Sequence, residues 1–373
     1  MAHDLAATPV TGLRAQLCGD AHVGNFGGYA TPERNLVFDI NDFDETLVGP
    51  WEWDIKRLVA SVVVLGRVNG VPQAAARNAA MAGSQSYREH IRAYGALPYL
   101  EVWYSVIDAE TTIAQFAHHP QPMEEAFAKG KRRTNETTLP KLAEYVGGGF
   151  RIAEDPPLVT HQRDVLARRL PEVLSAYRAS LPDERRLLLD RYGVADLSRK
   201  VVGIGSVGLR CYVALLFGTD TGDPLFMQIK EARESVLAPI AGGRSRGHQG
   251  KRVVVGQRIM QAASDIFLGW TRCGRVDYFV RQLRDMKTSI ALEDLDGRDL
   301  AAYAALCGWI LARAHACSGD AAQIGGYLGK GDSFDHAITS FGEAYADQTE
   351  RDHAALVAAV KAGRVQAQFD PSA

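Results

Sequence analysis

The chain is organised around a stretch that reads Leu17-Cys-Gly-Asp20-Ala-His22-Val-Gly-Asn25-Phe-Gly-Gly28, followed by Leu36-Val-Phe-Asp39-Ile-Asn41-Asp42-Phe-Asp44-Glu45. Each part begins with a short apolar run that predicts a buried strand, and each strand is followed by carboxylate and amide side chains. Burying an unpaired carboxylate costs on the order of several kcal/mol. Carboxylates at strand ends therefore usually pair with a cation, bind a metal or take part in a reaction. We interpret this stretch as the reaction centre.

The composition is that of an ordinary globular protein, with 373 residues, 46% hydrophobic and 23% charged residues, and a formal net charge of −2. This length predicts two or three packed units. The near-neutral charge implies no bulk attraction to nucleic acid or to an anionic membrane, and the longest apolar run, Leu58–Leu65, is too short to span a bilayer. No signal peptide is visible, and the five scattered cysteines favour reduced thiols. We expect a cytoplasmic protein without nucleic-acid or membrane partners, and the oligomeric state stays open.

The order of the predicted elements is strands, helices, strands, helices, which is typical of an α+β protein with a small sheet set inside a helical body. Residues 72–196 are predicted to be helical throughout. The other predicted elements are strands at 13–18 and 36–38 around a turn at 31–35, a helix from Trp51, strands at 209–217 and 225–230, a helix at 252–270, a strand at 276–283, and helices at 300–315 and 335–365. The corresponding units are residues 1–198, 199–285 and 286–373, of which the second is the β-rich, nucleotide-binding one.

A glycine-rich segment, Gly203-Ile-Gly205-Ser206-Val-Gly208, opens the second unit. A strand rather than a helix follows it, so a Rossmann fingerprint does not fit, and the Lys-Ser/Thr ending of a Walker loop is missing. A glycine loop between two strands is the pattern that covers nucleotide phosphates in protein kinases, whereas a plain β-turn is the alternative. Lys230 ends the strand after the next hairpin. There it would reach the α- and β-phosphates, or else extend to solvent from an edge strand.

Asp20 and Asn25 have the Asp-x-x-x-x-Asn spacing of a kinase catalytic loop. Asp20 would accept the proton of a substrate hydroxyl, and the amide oxygen of Asn25 would bind Mg²⁺. Asp39 would supply the second metal ligand, with Asp42 as its competitor. The choice between them stays open and leans to Asp39, because Asp39 directly ends its strand. We interpret His22 as a residue that orients the loop rather than a metal ligand.

These motifs resemble those of known phosphotransferases. Three segments, Gly19–Asn25, Val37–Asp39 and Gly49–Leu58, are similar to the corresponding series in aminoglycoside and choline phosphotransferases. More closely, nearly the whole chain resembles the DUF2252 family of bacterial proteins, which is placed among the protein-kinase-like folds. The family motifs stand here as Cys18-Gly-Asp-Ala-His22, Phe38-Asp-Ile-Asn-Asp-Phe-Asp-Glu45, Gly203-Ile-Gly-Ser-Val-Gly208, Gln261-Ala-Ala-Ser-Asp265 and Val280-Arg-Gln-Leu-Arg-Asp285.

The resemblance implies a two-lobed, protein-kinase-like fold. Because the catalytic loop precedes the glycine loop and Lys230, the fold would be circularly permuted, which is tolerable where chain termini lie close together. It also implies a further segment ahead of Met1. The backbone from Val280 to Leu283, including Gln282, would form the hinge that faces adenine. Asp54 would brace the catalytic loop by accepting backbone N–H bonds, although it could equally be a simple acidic residue at a helix start. The sequence does not assign the ion-pair partner of Lys230.

The sequence therefore predicts an ATP- and Mg²⁺-dependent phosphotransferase that acts on a hydroxyl group of an unknown acceptor, by analogy a small molecule. Two alternatives remain, a catalytically inactive kinase-like protein that binds nucleotide and a nucleotidyl transferase that moves AMP. In the first hypothesis Asp20 is the proton acceptor and Asn25 with Asp39 or Asp42 binds the metal. The phosphates would be held by Lys230 together with Gly203, Gly205, Ser206 and Gly208. We expect these residues to converge on one cleft.

Overall fold

The computed structural model describes residues 1–162, 164–201, 208–242, 247–283 and 286–367. The fold is α+β, as the sequence predicts. Within the described residues the strands are β1 (Arg14–Leu17), β2 (Phe26–Ala30), β3 (Leu36–Ile40), β4 (Leu47–Pro50), β5 (Ala143–Val146), β6 (Gly149–Ile152), β7 (Val159–Thr160), β8 (Gly193–Lys200), β9 (Cys211–Phe217), β10 (Pro224–Ala232), β11 (Gly269–Cys273) and β12 (Val276–Gln282). The helices there are α1 (Ala2–Ala6), α2 (Glu52–Val68), α3 (Gln73–Tyr94), α4 (Tyr99–Tyr104), α5 (Ala109–Gln115), α6 (Gln121–Lys131), α7 (Asn135–Leu142), α8 (Val165–Arg168), α9 (Leu170–Ser180), α10 (Asp183–Leu189), α11 (Gln249–Met260), α12 (Gly297–Ala316), α13 (Ala321–Leu328) and α14 (Ser333–Lys361).

An antiparallel sheet of six strands, in the order β11-β12-β10-β9-β8-β7, forms the main β-structure. Its strands β9, β10 and β12 confirm the predicted ones, and the turn at 218–223 joins β9 to β10. The prediction that residues 72–196 are helical throughout is wrong for β5–β7 and the start of β8. The predicted helix at 252–270 is also wrong in its second half, because α11 ends at Met260 and β11 begins at Gly269. Strand β8 buries only one of its eight residues, Ser198, so its sequence lacks the apolar alternation that marks a strand.

Two short antiparallel ladders position the acidic stretch. Strand β1 pairs with β4, and β2 pairs with β3, where Gly27 lies opposite Asp39. The predicted strands at 13–18 and 36–38 are thereby confirmed, with the turn at 31–35 between β2 and β3. Because the chain passes from β1 to the hairpin and back to β4, residues 18–25 and 41–46 both emerge beside the start of α2.

The helical body packs α2, α3, α12 and α14 around one apolar core. Helices α3 and α12 approach each other closely, since a methyl group on Gly308 would lie 2.1 Å from the carbonyl oxygen of Gly83. Trp51 stacks on Tyr87 of α3, with ring centroids 5.6 Å apart. No described helix has the length and apolar character needed to cross a bilayer. All five cysteines lie among the described residues and are unpaired.

Candidate active site

Helix α2 holds the loop that follows β1. The Asp54 carboxylate accepts the backbone N–H of Cys18 at 2.8 Å and that of Gly19 at 3.1 Å. Asp54 is buried in the first turn of the helix. The prediction that this carboxylate braces the loop is confirmed. The two peptide planes ahead of Asp20 are consequently fixed by a single side chain.

The same helix also contacts the side chain of Asp20. Arg57, one turn beyond Asp54, donates from Nε to Asp20 Oδ1 at 2.6 Å. The amide nitrogen of Asn25 donates to the backbone carbonyl of Asp20 at 2.8 Å. Since a carbonyl can only accept, the amide nitrogen of Asn25 must be the atom that faces the Asp20 carbonyl. The amide oxygen then points away from that carbonyl. Asn25 thus presents an oxygen, the kind of ligand that Mg²⁺ prefers.

His22 lies between these residues and is tied to the loop itself. Its Nδ1 accepts the backbone N–H of Gly24 at 3.1 Å, and its Nε2 lies 3.8 Å from Asp20 Oδ2. Burial lowers the pKa of His22, although the carboxylates of Asp20 and Asp42 oppose that shift. Because Nδ1 already caps the turn, these contacts agree with the interpretation that His22 orients the loop.

Asp39 is buried and uses both carboxylate oxygens internally. Oδ1 accepts the backbone N–H of Ile40 at 2.8 Å, and Oδ2 accepts that of Ala262 at 2.9 Å. Burial raises the pKa of Asp39, while Arg313 and the two N–H groups act against the rise. The family motif at Gln261–Asp265 therefore anchors the end of β3. A metal ion at Asp39 would have to displace these bonds.

Asp42 and Asp44 follow β3, and Asp44 contacts the sheet. Lys230 of β10 forms an ion pair with Asp44 Oδ2, which answers the question of its partner. The other oxygen, Asp44 Oδ1, is buried without a hydrogen-bond donor among the described residues. Burial raises the pKa of Asp44, the adjacent Asp42 carboxylate adds to that rise, and Lys230 opposes it. Asp42 and Asp44 are thus two neighbouring carboxylates, and Asp44 has an oxygen without a hydrogen bond among the described residues. A further cation would stabilise this arrangement.

A second cation lies on the same side of the sheet. Arg281 of β12 pairs across the ladder with Gln228 and donates from Nε to its side-chain oxygen at 3.0 Å. Its Nη1 donates to the carbonyl of Asn41 at 3.3 Å. Arg281 therefore links two strands of the sheet to the acidic stretch beside Lys230, a role that the sequence analysis missed because arginines in strands carry no positional signal of their own.

The proposed hinge is already hydrogen-bonded. The backbone N–H of Gln282 donates to Asp265 at 2.5 Å, and that of Leu283 donates to the carbonyl of Phe226 at 2.8 Å. Val280 pairs with Ile229 on one side and with Gly269 on the other. The cavity beside Gln282 measures about 20 Å³, which is room for one water molecule. Adenine could bind this backbone only if those bonds opened.

Most of the glycine loop, including Gly203, Gly205 and Ser206, lies outside the described residues. Gly208 is described and has a φ of +80°, the left-handed conformation that glycine adopts most readily. Its carbonyl accepts a bond from Arg233 at 2.8 Å. No group of three or more His, Cys, Asp or Glu side chains in the described ranges is arranged to hold a metal ion unaided.

Replacing Gly19 with alanine should destabilise the protein much more than the same change at Gly12. Both glycines have a positive φ, +86° and +84°, so both substitutions carry the backbone strain. A methyl group on Gly19 would lie 2.3 Å from the carbonyl oxygen of Glu45, whereas nothing lies within 4 Å of one on Gly12. We expect a loss of unfolding free energy of about 1 kcal/mol for Gly12→Ala and about 3 kcal/mol for Gly19→Ala. Denaturant titration measures both, and equal losses would contradict the close packing of the loop against Glu45.

Fold and site together define an α+β protein in which a lysine of the sheet meets a cluster of carboxylates and amides on the helical body. The chain belongs to the DUF2252 family, described as an uncharacterized protein conserved in bacteria, whose model matches residues 1–359. No curated protein and no solved structure matched the chain significantly.

Proposed function

We propose that this protein is an ATP- and Mg²⁺-dependent phosphotransferase that transfers a phosphoryl group to a hydroxyl of a small-molecule acceptor. The observation that carries the proposal is the ion pair between Lys230 and Asp44. It joins the lysine of the sheet to the acidic stretch, although the two are far apart in the sequence. A phosphate clamp and a set of metal ligands must lie within one nucleotide's reach of each other, and this contact meets that requirement.

The topology around Lys230 supports the proposal. Lys230 lies on β10, the third of the consecutive strands β8, β9 and β10, and α11 follows directly before β11 and β12. In protein kinases the phosphate-binding lysine is likewise on the third strand, and helix αC supplies its glutamate partner. Here α11 offers no such glutamate and Asp44 takes its place. The order of the catalytic loop and the sheet along the chain implies a circularly permuted, two-lobed arrangement of this type.

The donor atoms fit Mg²⁺. The ion usually binds one or two carboxylates together with substrate phosphates rather than a cage of protein ligands. Asn25 turns an amide oxygen outward, and Asp44 Oδ1 is buried without a donor among the described residues. Asp42 is close enough to raise the pKa of Asp44. We assign the metal ligands to Asn25, Asp42 and Asp44, in preference to Asp39. When bound, Mg²⁺ would neutralise charge on the phosphates.

The protein groups then have separate tasks. Lys230 and Arg281 supply positive charge on the sheet side, and Lys230 would exchange Asp44 for a phosphate oxygen. Asp20 would accept a hydrogen bond from the acceptor hydroxyl and orient it for attack. Arg57 binds the other side of the Asp20 carboxylate and keeps it in place. Phosphoryl transfer requires mainly positioning and charge stabilisation, which is what these contacts provide.

One observation favours a protein that binds nucleotide without catalysis. Arg57 donates from Nε to Asp20 Oδ1 at 2.6 Å, so the carboxylate that would accept the proton is already engaged in an ion pair.

Turnover of ATP with Mg²⁺ and a panel of small hydroxyl compounds tests the proposal. We expect ADP formation that depends on an acceptor, and an acceptor that gains phosphate in the mass spectrum. Asp20→Asn should lower the rate by about 100-fold or more, while Asp352→Asn, in the exposed C-terminal part of α14, should leave it unchanged. Nucleotide binding without any product would favour the inactive alternative. A gain of AMP in the acceptor would establish nucleotidyl transfer instead.

A further inference from the structure

A buried chain of side chains continues from Asp54 into the helical body. His315 of α12 places Nε2 at 3.3 Å from Asp54 Oδ2, and its Nδ1 lies 2.9 Å from the hydroxyl of Tyr87 on α3. His315 and Tyr87 are fully buried, and Asp54 is 1% exposed. We infer that His315 and Tyr87 are positioning residues, which hold the Asp54 carboxylate in the orientation that fixes the Cys18 and Gly19 peptides and thereby Asp20. The inference rests on the proposed function for its catalytic consequence.

The chemistry of the chain fixes the direction of its hydrogen bonds. The Asp54 carboxylate only accepts, and it already accepts from two backbone N–H groups, so Nε2 of His315 must be the donor. In a neutral imidazole Nδ1 is then the acceptor, and the Tyr87 hydroxyl donates to it. Each group thus sets the orientation of the next, from Tyr87 through His315 to Asp54.

Packing leaves the histidine ring little freedom to turn. Tyr87 stacks on Trp51, with ring planes 4° from parallel, and meets His315 edge to face at 5.7 Å. The close approach of Gly83 and Gly308 sets the separation of α3 and α12, the helices that carry Tyr87 and His315. Two helices remote in sequence therefore determine how the loop at Cys18–Asp20 is held.

Substitutions at His315 separate its two contacts. In His315→Gln the side-chain nitrogen takes the place of Nε2 and can still donate to Asp54. In His315→Asn the amide takes the place of Nδ1 and can reach only Tyr87. Tyr87→Phe removes the hydroxyl, and its matched control is Tyr94→Phe on the same helix, where the hydroxyl contacts Ser105 and Trp309 instead.

Two readouts test the inference. The first is the amide hydrogen-exchange rate at Cys18 and Gly19, relative to amides of α14. The second is steady-state turnover, separated into kcat and KM for ATP. We expect exchange to rise roughly tenfold in His315→Asn and Tyr87→Phe, and kcat to fall roughly tenfold with KM within about twofold. Tyr94→Phe should stay close to the wild type in both measurements. His315→Gln keeps a donor to Asp54 but loses the contact to Tyr87, so its exchange and kcat should change less than those of His315→Asn.

Either of two results overturns the inference. One is equal exchange in Tyr87→Phe and Tyr94→Phe, and the other is equal exchange in His315→Gln and His315→Asn. If the wild-type protein turns over no ATP, the proposed function fails, but the exchange rates still decide whether His315 and Tyr87 hold the loop. The two failures are therefore distinguishable.

Discussion

Lys230→Met is expected to lower turnover by about 100-fold or more and to weaken nucleotide binding, because it removes a cation placed for the phosphates. The substitution also leaves Asp44 without its ion-pair partner. The Lys230 side chain is 10% exposed and that of Asp44 is 26% exposed, so the lost ion pair leaves a largely buried carboxylate. We expect a loss of unfolding free energy of about 2 kcal/mol, less than for a fully buried pair because Asp44 keeps some contact with water.

The double variant Lys230→Met/Asp44→Asn separates the two effects. With the carboxylate replaced by a neutral amide, the unfolding free energy should return to within about 1 kcal/mol of the wild type, while turnover stays lost. Lys361→Met at the exposed end of α14 is the control for losing a lysine. Denaturant titration, nucleotide titration and initial rates are the measurements. Wild-type turnover in folded Lys230→Met would remove the phosphate-binding role of Lys230.

Sequence reasoning could place Lys230 but not its partner. The lysine stands at the end of a strand with a clear apolar pattern, which is why β10 was predictable. The following helix, α11, contains no glutamate and does not supply a partner. Asp44 comes from the other side of the fold, and only packing of the sheet on the helical body brings it to Lys230. Pairing across such a separation leaves no local pattern.

The strands that the sequence missed share a physical cause. Strand β5 buries none of its residues, β6 buries only Ile152 and β8 buries only Ser198. Strand β8 also contains Gly193, Asp196 and Lys200, which have low strand propensity. With so few buried positions, these strands carry too short an alternation of apolar and polar residues to predict a strand. The strands of the core, such as β9 and β10, are buried almost throughout, and their apolar runs made them predictable.

The position of an aspartate in the sequence does not decide whether Asp39 or Asp42 is the metal ligand. Asp39 directly ends its apolar run, so the sequence favoured it as a metal ligand. The backbone instead turns N–H groups of Ile40 and Ala262 onto both of its oxygens. The second donor comes from the end of α11, a contact that no spacing within the acidic stretch reveals. Asp42, half-buried and adjacent to Asp44, keeps an oxygen for a ligand.

Asp42→Asn should therefore lose turnover but keep its stability, whereas Asp39→Asn should lose stability but keep its turnover. Within the part of the chain that the structure describes, the Asp42 carboxylate accepts one bond, from the backbone N–H of Asp44 at 3.2 Å, and an amide oxygen can accept it equally well. We expect the unfolding free energy to change by less than about 0.5 kcal/mol and turnover to fall by about 100-fold or more. In Asp39→Asn an amide nitrogen must face a backbone N–H, so about 2 kcal/mol of stability should be lost while the folded protein keeps turnover within a few-fold.

The dependence of turnover on Mg²⁺ concentration completes the comparison. If Asp42 is a ligand, Asp42→Asn needs more Mg²⁺ for half-maximal rate, whereas Asp39→Asn follows the wild-type curve. Binding of Mn²⁺ in the presence of ATP gives the same comparison without requiring turnover. The assignment would be contradicted if Asp39→Asn were stable but had lost metal binding while Asp42→Asn remained active. Asp39 would then be the metal ligand. That outcome would also mean that the bonds from Ile40 and Ala262 open when nucleotide binds, which hydrogen exchange at those two amides would detect.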